Sequence, residues 1–252
     1  MIIVEQETIT TGWLDAVENL LAAGGDAFTG IVHVTKPGEP VPPMEVRVRG
    51  LLDSWLDGRE FYDTQTVANT IFPEFFNTLP DENEAYRRYR ERLWPQIRRI
   101  RANSRGTYFL RLIGGRVEDS AAGELLNPLA IAIQKLRAQL ATGQPMRSAY
   151  ELPIYSVLDR NVTMGFPCLS HVSLKLDAGR LHLTGFYRNQ CYVRRLYGNL
   201  LGLARLQVFV ARHAGLVPGE LVCHASHAEL ETNGRLGSFR ALIKECRQVL
   251  DA

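Results

Sequence analysis

The sequence predicts an α/β (α+β) fold, and three observations predict it. Two runs in which apolar residues alternate, 170–176 and 181–187, flank the turn residues Asp177, Ala178, Gly179 and Arg180, so they read as a hairpin. Other stretches repeat apolar residues at helical spacing, and one of them, 196–214, is apolar around most of its circumference and reads as a buried central helix. The 252 residues are 46% hydrophobic and 22% charged, a globular balance with enough apolar surface for one sizeable core, so one domain over 1–252 is expected.

The composition also excludes function classes. Net charge is +2, no apolar run approaches a membrane span, and the N-terminus lacks the charged and then apolar form of a signal peptide. A cytoplasmic protein with no membrane partner is expected. Cys168, Cys191, Cys223 and Cys246 show no Cys-x-x-Cys pairing, so neither a disulfide framework nor a structural metal is expected.

Taken in order, residues 11–23 place Trp13, Val17, Leu20 and Leu21 on one helical face, with Gly24 and Gly25 as the stop. Strand-like runs at 31–34 and 45–49, separated by the proline-rich stretch from Pro37 to Pro43, predict a sheet edge or hairpin. From Asp63 to Pro80 the pattern turns helical. Residues 81–105 carry eight arginines among Tyr86, Tyr89 and Trp94, one form of a nucleic-acid footprint. Asp81, Glu82, Glu84 and Glu91 interleave with them, so a solvated helix face with i,i+4 ion pairs, broken at Pro95, is the expectation, and nucleic acid is not an expected partner. Asn127 and Pro128 open the next helix as cap and first-turn proline, with Leu129, Ile133, Leu136 and Leu140 as its buried stripe and Gly143 as its stop. The last helix buries Phe239, Leu242, Ile243, Cys246, Val249 and Leu250.

The hairpin carries the chemistry. Pairing its two runs brings Cys168, before the first, beside Arg188, after the second. A free thiol titrates near ~8.5, and a neighbouring guanidinium favours the thiolate, the form that acts as a nucleophile. The plain alternative is a small buried hydrophobe.

The residues Pro167-Cys168, Tyr187-Arg188-Asn189, Asn199, the helix 196–214, the turn-like Gly215-Leu216-Val217-Pro218-Gly219-Glu220 and His227-Ala228-Glu229-Leu230-Glu231 follow one another at spacings that resemble thymidylate synthase. The resemblance is specific over 125–235. It implies a mixed sheet with helices on one face and a homodimer through the other. It also implies a single domain, whether of a divergent thymidylate synthase or of a pyrimidine nucleotide hydroxymethylase. In its terms Cys168 is the nucleophile, Arg188 and Asn189 hold phosphate with Tyr187 beside them, and Asn199 reads the pyrimidine edge. Arg147 is the arginine reaching the other subunit's nucleotide, and Tyr108 is the active-site tyrosine. Glu229 and Glu231 stand where a histidine and a tyrosine bind the sugar, and with His227 they form a titratable group that is a candidate acid/base set. Two carboxylates can accept from two hydroxyls, which suits a ribose.

The resemblance implies 5,10-methylenetetrahydrofolate as cofactor, with Cys191 at the position of an aspartate that helps hold it. Other positions depart from the family. Phe28 stands where a loop arginine clamps phosphate, Asn69 where a glutamate organises protons (with Glu74 as a possible substitute), and the family's C-terminal closing tail has no counterpart after Ala252. Two readings therefore stay open. One is an enzyme in which the Cys168 thiolate adds to carbon 6 of a pyrimidine nucleotide or nucleoside and activates carbon 5 for methyl or hydroxymethyl transfer. The other is a non-catalytic or folate-independent homodimeric nucleotide-binding protein.

Overall fold

The computed structural model describes residues 1–114, 126–143, 148–156, 159 and 167–252. They build a seven-stranded mixed sheet with helices. Its edge strand β1 (Ile2–Gln6) runs parallel to β2 (Asp26–Val34), and β2 runs antiparallel to β7 (Val217–Glu229). Beyond β7 come β5 (Arg180–Tyr187), parallel to it, then β4 (Leu169–Asp177) and β3 (Glu151–Pro153), each antiparallel to its neighbour. A two-residue strand, β6 (Gln190–Cys191), pairs with the end of β7.

The expected hairpin is β4–β5. Asp177 pairs with Arg180 across a two-residue turn in which Ala178 and Gly179 take φ of 45° and 78°, the two positive values that match the right-handed twist of the strands. At the other end the Arg188 amide donates to the Cys168 carbonyl at 3.0 Å. The hairpin thus sets thiol and guanidinium side by side.

The central helix, α8 (Tyr197–Ala214), lies across the inner sheet face. Gln207, wholly buried on it, donates from Nε2 to the carbonyls of Leu181 at 2.7 Å and Glu220 at 3.0 Å, which ties the helix to β5 and β7 at once. Helix α1 (Ile9–Ala22) begins where the Thr8 hydroxyl accepts from the Thr11 amide, and its Trp13 donates to the Tyr192 carbonyl at 3.3 Å. Arg247 of α9 (Leu236–Leu250) reaches Asp15 at 2.6 Å and Glu18 at 2.5 Å on α1.

Several expectations are corrected. Residues 45–49 are not a strand but lie in α2 (Pro43–Asp57), whose buried residues Glu45, Val48, Leu52, Trp55 and Leu56 fall at helical spacing. Five alternating residues fit both periods, and the apolar residues that follow decide for the helix. Pro95 does not break the arginine-rich helix either. The chain continues from α4 (Glu82–Arg88) through a π turn (Tyr89–Leu93) into α5 (Trp94–Ile97), which follows α3 (Thr64–Ile71) in chain order. A proline ring crowds the carbonyl four residues back, and the widened turn just before Pro95 is where that carbonyl lies. In α7 (Pro128–Thr142) the Asn127 cap and the left-handed Gly143 stop are present, but Leu140 is exposed and Gln139 takes the buried place. The turn expected over 215–220 is confined to its first two residues, because β7 has begun by Val217.

Candidate active site

The open end of the hairpin, the start of α8 and the end of β7 converge on a cavity of about 500 Å³. That is an ordinary size for a small-molecule site. Cys168 lines it, half-buried and free. Arg188 is exposed and is not among the residues that line the cavity, but its Nη2 lies 3.9 Å from the Cys168 sulfur and its Nε donates to the Pro167 carbonyl at 3.1 Å. Tyr108 opens the short helix α6 (Tyr108–Leu112) and lines the cavity beside the thiol. Burial pushes the Tyr108 phenol above its ordinary pKa and the nearby Cys168 pushes the same way, so at neutral pH it is a hydroxyl donor.

Asn199, on the first turn of α8, lines the cavity at only 5% exposure and makes no side-chain hydrogen bond among the described residues. A buried amide normally has partners. Here both its donor and its acceptor remain for a ligand.

The floor is acidic. Glu229 and Glu231 line it from the end of β7 and the residues just beyond. Glu231 is ion-paired with Arg194, whereas Glu229 accepts from the Asn189 amide at 2.7 Å. Behind Asn189 stands His227, whose Nδ1 is 2.6 Å from the Asn189 carbonyl oxygen and whose Nε2 is 2.8 Å from Asp26. Cys191 also lines the cavity, its thiol donating to the Leu230 carbonyl at 3.4 Å.

Of the residues singled out from sequence, Cys168, Tyr108, Asn189, Asn199, Cys191, Glu229 and Glu231 line this one cavity. His227 lies behind its wall. Tyr187 does not reach it: at 2% exposure it faces the core, with burial holding its phenol well above the ordinary pKa. Arg147 lies outside the described residues. Asn69 and Glu74 do not line the cavity; both hold Arg205, at 3.3 Å and 3.1 Å. Phe28 is 78% exposed, its ring 5.6 Å from that of His227.

Sequence reasoning missed two groups. Arg194 and Arg195 are turned into the cavity by a π turn (Tyr192–Leu196) that leads into α8, and Arg195 stacks over Tyr62 at 5.6 Å. Arg111 lines another wall, where its guanidinium meets the wholly buried Asp159 at 2.7 Å and 3.2 Å. The doublet of arginines just after Cys191 was the available signal for the first. Nothing local signals the second, whose partners lie 48 residues apart.

No protein-family model matches the chain. A stretch of 65 residues is 40% identical to a protein of Methanopyrus kandleri described as "Putative thymidylate synthase". The match covers 25% of this chain and 31% of that protein, so it relates a segment and not the whole.

Proposed function

We propose that the chain is an enzyme that modifies carbon 5 of a pyrimidine nucleoside or nucleotide, starting with addition of the Cys168 thiolate to carbon 6. The observation that carries this reading is the setting of the thiol, which lines a cavity of about 500 Å³ with the Arg188 guanidinium 3.9 Å from its sulfur. The segmental likeness to a protein described as a thymidylate synthase points the same way.

Addition places an electron pair from the carbon 5–carbon 6 double bond onto the conjugated carbonyl, and carbon 5 becomes nucleophilic. Carbon 5 then takes an electrophile and gives up its proton, and the sulfur leaves with the bond to carbon 6, restoring the ring and the thiolate. This is covalent catalysis in which one hard substitution becomes two easier ones. Asn199 offers its open amide to the ring carbonyl and the adjacent ring N–H of a uracil. Tyr108 supplies a hydroxyl donor next to the sulfur. Glu229 and Glu231 meet the sugar hydroxyls.

The electrophile we propose is the one-carbon unit of 5,10-methylenetetrahydrofolate. Tyr62 and Ile100, about half exposed on the cavity rim, offer flat and apolar surface on which a pteridine would rest. When bound, it supplies a carbon at the oxidation level of formaldehyde. We also propose that a second copy of the chain covers the outer face of the sheet.

The test needs no cofactor. Uridine 5′-monophosphate and its deoxy counterpart are incubated with the protein in deuterated water, and loss of the carbon 5 proton is followed by NMR. Exchange is expected, and it is expected to fall to the uncatalysed rate in Cys168→Ala. Absence of exchange, with Cys168→Ala binding the nucleotide as tightly as the wild type by calorimetry, would replace this reading with that of a non-catalytic binding protein.

A further inference from the structure

We infer that Asp26, His227 and Asn189 form a positioning relay that fixes Glu229 as a hydroxyl acceptor and thereby sets a preference for ribose over deoxyribose. The sugar half of this inference rests on the nucleoside reading above. The relay itself rests on three consecutive contacts: Asp26 to His227 Nε2 at 2.8 Å, His227 Nδ1 to Asn189 Oδ1 at 2.6 Å, and Asn189 Nδ2 to Glu229 at 2.7 Å.

The order of donors and acceptors in this chain has one consistent solution. Glu229 is a carboxylate and accepts, so Asn189 must present its NH₂ to it. The amide carbonyl then points at His227, whose Nδ1 must carry a proton to meet it. The other ring nitrogen faces the Asp26 carboxylate and must also donate. Flipping the Asn189 amide would set its carbonyl against the Glu229 carboxylate. The amide is therefore held in one orientation by contacts at both of its ends, with His227 and Asp26 standing outside the cavity.

This separates the two acids of the floor. The carboxylate of Glu231 is matched by Arg194, while Glu229 is held by a neutral amide through one oxygen. Its other oxygen makes no hydrogen bond among the described residues and remains for a ligand O–H. The groups facing the relay are few: His227 meets Asp26 and the Phe28 ring from β2, and Asn189 from the loop after β5. Strand pairing sets the geometry, since Asp26 lies opposite Glu229 and Phe28 opposite His227 in the β2–β7 ladder. Asp26 and His227 act on the ligand only through Asn189 and Glu229, so they are positioning residues.

The relay is tested first on the unliganded protein, by NMR of the Asn189 side-chain amide. In the wild type its protons are expected to be protected from exchange with water. In H227F the protection is expected to fall by about tenfold, as for a hydrogen bond opened locally. An Asn189 amide that exchanges equally fast in both proteins overturns the relay. The sugar preference is tested by calorimetry with uridine and 2′-deoxyuridine. Uridine is expected to bind the wild type about tenfold or more tightly, because the deoxy sugar leaves the Glu229 oxygen unpaired. In H227F, which alters a residue behind the cavity wall, the uridine affinity is expected to drop to that of deoxyuridine, with deoxyuridine unchanged. Equal affinities in the wild type, or equal loss of both ligands in H227F, overturn the preference. Binding of neither ligand overturns the nucleoside reading, and the amide measurement still decides the relay.

Discussion

His213, on the last turn of α8, is held as a neutral imidazole. Its Nε2 accepts from Arg212 at 2.9 Å, its Nδ1 lies 3.2 Å from Glu82, and the Phe209 ring covers it at 4.4 Å. Burial lowers its pKa, and Arg212 lowers it further. A depressed pKa means that the unfolded chain takes up the proton first as the pH falls below about 6.5. The stability this group contributes is therefore present above that pH and is lost as the pH falls through the folded value. The neighbouring Glu82 does not confuse the window. Burial opposes its ionisation, but the hydrogen bond from Arg137 and the helix start outweigh this, and its pKa lies below 4.5. The urea midpoint is thus expected to fall between pH 7.5 and 5.5 in the wild type, and to fall less in H213F. An equal fall in both proteins would show that His213 is not the source. Such partners are three-dimensional facts and leave little trace in sequence. Cys168 and Asn199 were legible because each sits at a marked place, after a proline and at the start of an apolar helix. Tyr187, expected at the substrate, faces inward instead, a direction that its parity with the core residues Leu181 and Leu183 signals. Asp159 was not legible, because its role depends on a partner 48 residues away.

Between elements, α3 and α8 approach each other closely beside the cavity. A Cβ on Gly198 would lie 2.5 Å from the Cβ of Val67, and one on Gly202 would lie 2.8 Å from the Ala68 carbonyl and 2.9 Å from the Cβ of Ile71. Two glycines four apart make a groove on α8 that α3 fills, and α3 in turn gives Thr66, Val67 and Thr70 to the cavity wall. Alanine is the better helix former by about 1 kcal/mol, yet forcing a methyl against backbone costs about 1–3 kcal/mol. G202A is therefore expected to lower stability by up to about 2 kcal/mol in urea unfolding, the overlap outweighing the propensity. Gly50, in the middle of α2, is the internal control, since nothing lies within 4 Å of the place its Cβ would take. G50A is expected to raise stability by about 0.4–1 kcal/mol. If both substitutions stabilise, the α3–α8 packing is looser than the distances say. The hairpin and the long helices were readable because many residues repeat one period. Residues 45–49 misled because five residues are too few to separate two periods, and the π turns at 89–93 and 192–196 were invisible because one extra residue per turn leaves no pattern.

For the molecule as a whole, the question is what covers the outer face of the sheet. Ladder partners share a face, and one row runs Ile3, Ile31, His224, Phe186, His171 and Pro153 across the strands from β1 to β3. The next row runs Glu5, His33, Val222, Thr184, Ser173 and Glu151. Ile3 is 59% exposed, and His33 bridges Glu5 at 3.0 Å and Glu220 at 3.1 Å. A face on which apolar residues alternate with histidine–carboxylate pairs suits its own copy turned through a two-fold axis, since apolar residues can meet apolar ones and the paired acids raise no net charge against the approach. A partner of one charge sign would match only half of it. The expected mass by sedimentation equilibrium is therefore twice 28.3 kDa. Val222 lies near the middle of this face, on the inner strand β7, where a long charged side chain would stand between the two copies and keep their apolar residues apart. V222K is expected to sediment as a monomer and to keep its far-ultraviolet circular dichroism, because the substitution points away from the inner core. A wild type that sediments at 28.3 kDa at micromolar concentration would show that this face is not closed by a second copy.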